Sequence, residues 1–187
     1  MRVERFVARL LSRPKPNSFL QPSTEAMIYH MKRKDKEITD PALIRKILKT
    51  TKHITIAMSM NNQPYLVTLS HGYDESQNCI YFHCAKEGRK LDYLKSNNTV
   101  WGQAMLDLGY QENQCNHMFA TAQFRGKVTL LEKPDEKRQA AECMTRQLNK
   151  DPEPMIAKLE PERLATTVFG RIDIEYLSGK KSEEATI

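Results

Sequence analysis

The residues with the clearest chemistry are Glu87-Gly88-Arg89-Lys90. A short apolar segment, Ile80 to Cys84, leads into them, and a helix-like run, Leu91 to Ser96, follows. The first turn of a helix carries free N–H groups and is already electropositive. Two cations there make a strong attractor for an anion, most often a phosphate. Gly88 lets the backbone approach a ligand, and Arg89 can grip two phosphate oxygens at once. Lys90 adds a point charge. The plain alternative is a solvated basic turn whose cations pair with Glu87 and Asp92.

His71, in "TLSHGYD", lies near a strand end just before a glycine. A histidine titrates close to neutrality and can shuttle a proton to a substrate. It can equally be an ordinary histidine beside a turn. Cys79, His83, Cys84, Cys115 and His117 are potential metal ligands, but no pair has zinc-site spacing. On a strand, Cys79 and His83 share a face and Cys84 points the other way. No metal is expected. Hydrolase, zincin and Walker-type nucleotide motifs are absent.

These residues must be placed by a fold, and the hydropathy pattern predicts one. Asp40 as N-cap and Pro41 at the first helical position start a helix with Ile44, Ile47 and Leu48 on one stripe. "HITIAMSM" and "YLVTLSHGY" alternate about an "NNQP" turn, as a hairpin does. "CIYFHC", "TVWGQAML", "FATAQFRGKVTLLE" and "TTVFGRIDIEYLSG" complete six strands, with Gly126 a candidate bulge. "PDEKRQAAECMTRQLNK" is helical, with Ala141, Met144 and Leu148 inward, and the segment 152–162 has room for a short helix. Strands linked mostly by hairpins predict an antiparallel sheet or small closed barrel, mainly β, rather than a doubly wound sheet.

Length suits a single domain. The net charge of +6 is local: residues 1–36 hold nine Lys/Arg against three acids, and the rest balances at twenty of each. A neutral body suits a small-molecule site better than a nucleic-acid groove. The basic leader, 1–30, reads as an extension with a short amphipathic stretch and could bind polyanions; the domain proper is 31–182 and the tail 183–187. No apolar run reaches membrane-spanning length. Four cysteines without paired spacing point to reduced thiols and a cytoplasmic protein.

From "KRKDKEITDPALIRKILKTT" through "IYFHCAKEGRKLDYLKSNNTV" to "FGRIDIEYLSGKKS", the chain resembles the FMN-binding split-barrel proteins related to pyridoxamine 5'-phosphate oxidase. Within them it resembles the nitroimidazole-resistance branch. The resemblance implies a six-stranded antiparallel split β-barrel with flanking helices, forming a homodimer with FMN at the interface. It implies that Gly88, Arg89 and Lys90 hold the FMN phosphate. Thr68, Leu69 and Ser70 would edge the isoalloxazine ring, His83 would border it, and Thr121 would face it. His71 would be the catalytic residue, beside the flavin and open to substrate. The run "CNHMFATA" departs from the family pattern in having Phe119 where a tyrosine is usual. Four functions remain open at this point: a reductase of nitroaromatics or other small electrophiles fed by a reduced nicotinamide; a flavin carrier; a haem protein using His71, His83 or His117; and a polyanion binder acting through its leader.

Overall fold

Helix α1, Pro41–Thr50, starts as the sequence predicts: the Asp40 carboxylate accepts a hydrogen bond from Ala42 N–H at 2.8 Å, and Pro41 follows it. Its C-terminus is closed by Thr51, whose hydroxyl donates to the Ile47 carbonyl at 2.9 Å. Ile44, Ile47 and Leu48 face inward, and the last two are completely buried. Burying such a side chain contributes about 1.5–3 kcal/mol. The computed structural model describes residues 31–187, so the amphipathic stretch expected in the first dozen residues lies outside the described residues.

Seven strands follow: β1 (Glu37–Ile38), β2 (His53–Met60), β3 (Gln63–Asp74), β4 (Cys79–Cys84), β5 (Thr99–Gln111), β6 (Asn116–Leu130) and β7 (Val168–Lys181). Their order is β1-β7-β4-β3-β2-β5-β6, and β6 also pairs with β7. Six long antiparallel strands therefore close on themselves, and the two-residue β1 is added at the edge of β7. This is the split barrel expected, plus one strand too short for a hydropathy pattern. Four further helices are α2 (Arg89–Ser96), α3 (Pro134–Leu148), α4 (Glu153–Ile156) and α5 (Pro161–Thr166). The segment expected to hold one short helix holds α4 and the start of α5. None of the described helices is long and apolar enough to cross a membrane.

Alternation decides what each strand shows to the interior. Leu69, Ile54, Ala104 and Ala122 form one inward cross-strand row, and Val67, Ile56, Gly102 and Phe124 form the next. The opposite face carries Leu66, Ala57, Trp101, Arg125 and Tyr176 in one row and Thr68, Thr55, Gln103, Gln123 and Ser178 in another. Two rings force glycines opposite them: an added Cβ would lie 2.2 Å from the Phe124 ring at Gly102 and 2.3 Å from the Phe82 ring at Gly170. Gly126 does mark a bulge. Arg125 pairs with Tyr176 but Gly126 pairs with Ile174, so the extra residue, Glu175, is on β7.

The tight turn between β2 and β3 is Asn61-Asn62, both with positive φ (50° and 61°), a conformation asparagine tolerates. On the far side of the sheet α3 lies on β3 and β4. It buries Ala140, Ala141 and Met144 against Cys79, Tyr81 and Phe169. Contact is backbone to backbone at Gly72, where a Cβ would sit 2.7 Å from Met144 N. Gly72→Ala is expected to destabilise the protein by about 1–3 kcal/mol, the usual range for overpacking. A urea midpoint unchanged from that of the parent would show that α3 can move away from β3 at little cost.

Candidate functional site

The site is made where β3 and β4 part. They pair only over residues 71–74 and 79–82. Before that point residues 63–70 of β3 pair with β2, and among the described residues no strand pairs with their other edge. β4 turns instead to β7, through His83 opposite Phe169 and Cys84 opposite Val168. The chain then runs through Ala85–Gly88 into α2. An open strand edge and a helix start thus lie on the same side of the barrel, joined by the contact between Tyr65 and Tyr93 (ring centroids 5.2 Å apart).

Gly88 caps α2 with φ 136° and ψ 162°, a region closed to residues with a Cβ. No side chain caps the helix, so the first-turn N–H groups of Arg89 and Lys90 stay open to an outside acceptor. An added Cβ at Gly88 would meet nothing within 4 Å, so the space before this turn is clear. The Arg89 guanidinium lies over the Tyr65 ring, 5.6 Å from its centroid, which ties α2 to β3. Among the described residues neither Arg89 nor Lys90 is paired with a carboxylate, Glu87 and Asp92 included. The local arrangement fits a phosphate: open N–H groups, clear space and two uncompensated cations.

His83 is exposed, with its ring 6.2 Å from that of Phe169. Its pKa is held below the usual histidine value, first by partial burial and then by the positive fields of Lys90 and Arg163. Thr68 faces outward, bonded to Thr55 (Oγ1 to Oγ1, 2.9 Å), and Ser70 shares that face half-buried. Leu69 points into the core at 8% exposure, so only its main chain reaches the open edge. Thr121 is buried, and its hydroxyl donates to the Lys180 carbonyl at 3.3 Å.

His71 departs from expectation. It is completely buried, on the same side of β3 as Leu69 and paired in register with the core residue Phe82. The strict alternation of β3 puts it there. Its Nε2 lies 3.0 Å from the Leu48 carbonyl and 2.9 Å from Gln147 Nε2. Gln147 also donates to Leu48 and Thr51 carbonyls (2.9 and 2.7 Å) and accepts from Tyr73 N–H at 2.7 Å. The amide and imidazole thus knot α1, α3 and β3 together. Donation from Nε2–H to Leu48 leaves Nδ1 as a bare lone pair, matching its lack of a partner. Burial lowers its pKa from 6.5 to about 4. His71 is not open to substrate in this fold, and the expected catalytic contact is corrected to a structural one.

Two participants carried no local signal. Tyr65 looked like one more inward residue of an alternating strand. Arg163 sat in a stretch without clear periodicity, and only the topology brings it to His83. His117 is bonded to Asp107 at 2.8 Å, while His71 and His83 lie on opposite sides of the sheet, so the three histidines do not form one ligand set. Among the described residues no group of three His, Cys, Asp or Glu could hold a metal ion. Among the described residues sizeable concavities lie elsewhere: about 580 Å³ between α1 and β7, about 550 Å³ between α3 and the end of β3, and about 520 Å³ between α3 and α5.

The fold is a six-stranded split barrel with a basic turn between β4 and α2. The family model described as pyridoxamine 5'-phosphate oxidase matches residues 40–181, and the chain belongs to that family. Among solved structures it is similar to a proposed 5-nitroimidazole antibiotic resistance protein of Bacteroides thetaiotaomicron: 25% identity, TM-score 0.68, covering 78% of this chain and 86% of that one. The flavocytochrome Anf3 of Azotobacter vinelandii shares the fold at 17% identity (TM-score 0.66, 82% and 72% covered). So does an FAD-binding protein of Mesorhizobium loti at 20% identity (TM-score 0.56, 76% and 95% covered). No curated protein matches by sequence.

The buried His71 gives a pH dependence. Unfolded, the imidazole titrates near 6.5; folded, near 4. Between those values the unfolded chain binds the extra proton, so acidification favours unfolding. Stability from this group is intact above pH 6.5 and lost progressively toward pH 4, amounting to about 3 kcal/mol across the window. Urea midpoints from pH 7 to pH 4 should fall more steeply for the parent than for His71→Gln. Parallel slopes would remove His71 from the acid response.

Proposed function

We propose that the protein is an FMN-dependent reductase of small electrophiles such as nitroaromatics, acting as a homodimer and fed by a reduced nicotinamide. The observation that carries the reading is the turn at Gly88: open helix N–H groups and two cations without carboxylate partners beside an unpaired strand edge. Arg89, Lys90 and the first-turn amides would bind the flavin phosphate. The main chain of Thr68, Leu69 and Ser70 would hydrogen-bond the ring edge, with Thr68 and Ser70 presenting hydroxyls on the same face. Thr121 would support that face from β6. Bound FMN would supply hydride and electron transfer between donor and electrophile.

The outer sheet face supports a dimer. It exposes Leu66 (65%) on β3 and Met105 (52%) on β5, with β2 between them. A second copy laid there would cover apolar surface and exclude water from the ring. The four free cysteines suit a reducing, cytoplasmic setting.

The burial of His71 favours one second reading. With that histidine withdrawn, residues 63–70 of β3 hold no imidazole or carboxyl group, and a flavin carrier without turnover uses the same turn equally well. Absorption spectroscopy of the purified protein, followed by identification of the heat-released chromophore, is expected to give FMN. The Arg89→Ala/Lys90→Ala double variant should lose it, with affinity reduced about a hundredfold or more for two charge-assisted contacts. A colourless protein that fails to take up added FMN would overturn both readings. Oxidation of a reduced nicotinamide with a nitroaromatic acceptor separates reductase from carrier. Leu66→Glu is expected to shift the dimer to monomer in light scattering and to weaken FMN with it; an unchanged dimer would place the interface elsewhere.

A further inference from the structure

Lys90, His83 and Arg163 come from three separate elements. β7 begins directly after α5, and its first residues pair with the end of β4: Val168 with Cys84, Phe169 with His83. That register carries the last turn of α5 to the same end of β4 from which α2 departs. α5 is fixed there. Leu164 is buried, and Lys137 of α3 donates to the carbonyls of Ala165 and Thr167 at 3.3 and 3.2 Å. Arg163 is exposed, its carbonyl accepts from the hydroxyls of Thr166 and Thr167, and among the described residues its guanidinium has no partner. Lys90 and Arg163 both act electrostatically on His83, and no carboxylate figures among the groups that do. Arg89 leans the other way, onto Tyr65. Lys90 and Arg163 thus carry the positive charge of the helix start on to the end of β4.

We infer that His83 and Arg163, with Lys90 shared between them and the Gly88-Arg89 turn, form a second phosphoryl subsite beside that turn, suited to an additional phosphate on the bound nucleotide or on the electron donor. The inference rests on the reading that a flavin phosphate occupies the turn. Two sources have the same chemistry. One is the diphosphate of a dinucleotide flavin; the other is the phosphate of a phosphorylated nicotinamide. An exposed neutral imidazole between two cations becomes a donor when a dianion arrives, since nearby negative charge favours its protonated form.

The test uses the full chain. NMR titration of the His83 imidazole is run with and without inorganic pyrophosphate. Pyrophosphate is expected to raise the His83 midpoint by about one pH unit, the scale of a close opposite charge. Arg163→Ala, at an exposed position, should raise the midpoint of the free protein and reduce the pyrophosphate response. An unmoved His83 overturns the subsite. Fluorescence titrations then assign the source. If the source is a dinucleotide flavin, Arg163→Ala weakens FAD about tenfold, as loss of a charge-assisted contact does, and leaves FMN within about twofold. If it is the donor, both flavins are unchanged and the phosphorylated nicotinamide loses affinity relative to its unphosphorylated counterpart. Equal weakening of FMN and FAD would place Arg163 on the first phosphate and overturn the inference, as would no change with any nucleotide. A pyrophosphate response in a protein that binds no FMN would instead remove the flavin reading and leave the subsite standing.

Discussion

The geometry of the site depends on where β3 stops pairing with β4. Up to residue 70, β3 has one partner among the described residues, which leave its outer edge open. From His71 onward, β4 takes over. The crossover is held by main-chain contacts that side-chain changes elsewhere cannot easily shift. Gly72 touches the backbone of α3, and Gln147 bonds the Tyr73 amide while reaching the end of α1. With β3 pinned there, β4 is free to follow β7, and the turn into α2 falls beside the open edge.

The same knot accounts for the withdrawal of His71. A buried imidazole whose Nε2–H donates to the Leu48 carbonyl is held in one tautomer and cannot change charge near neutrality without disrupting its neighbours. Its service is to order β3, and through β3 the residues two and three positions earlier. A proton acceptor and a structural pin make opposite demands on one histidine: the first needs an exposed lone pair, the second needs all exchange with water removed. The exposed imidazole of this region is His83, on the other face and among cations.

The sequence was legible where one physical rule acts alone. Asp40-Pro41 marks a helix start because capping is local, and Gly126 marks a bulge because a Cβ there would lie 2.2 Å from the Asp173 carbonyl oxygen. The Gly88-Arg89-Lys90 turn was legible as the handover from a strand to a helix, where Gly88 takes a φ of 136° that a Cβ disfavours. His71 was legible in principle and misread: the alternation that put Leu69 inward put His71 inward too, but its chemistry drew attention from its parity. Arg163 could not be read. Its place is set by the register between β4 and β7, a pairing across more than eighty residues that leaves no mark near "PERLATT". The two-residue β1 fell below any periodicity.

The open edge of β3 has a consequence for inheritance. Its hydrogen-bonding groups are peptide N–H and C=O, present at nearly every position whatever the side chain. Mutation can reshape what surrounds that edge but cannot delete it while the barrel closes. A lineage built on such an edge keeps its means of grasping a flat polar molecule as its sequence drifts, while the neighbouring side chains stay free to explore new partners. The fold itself persists at 17–25% identity.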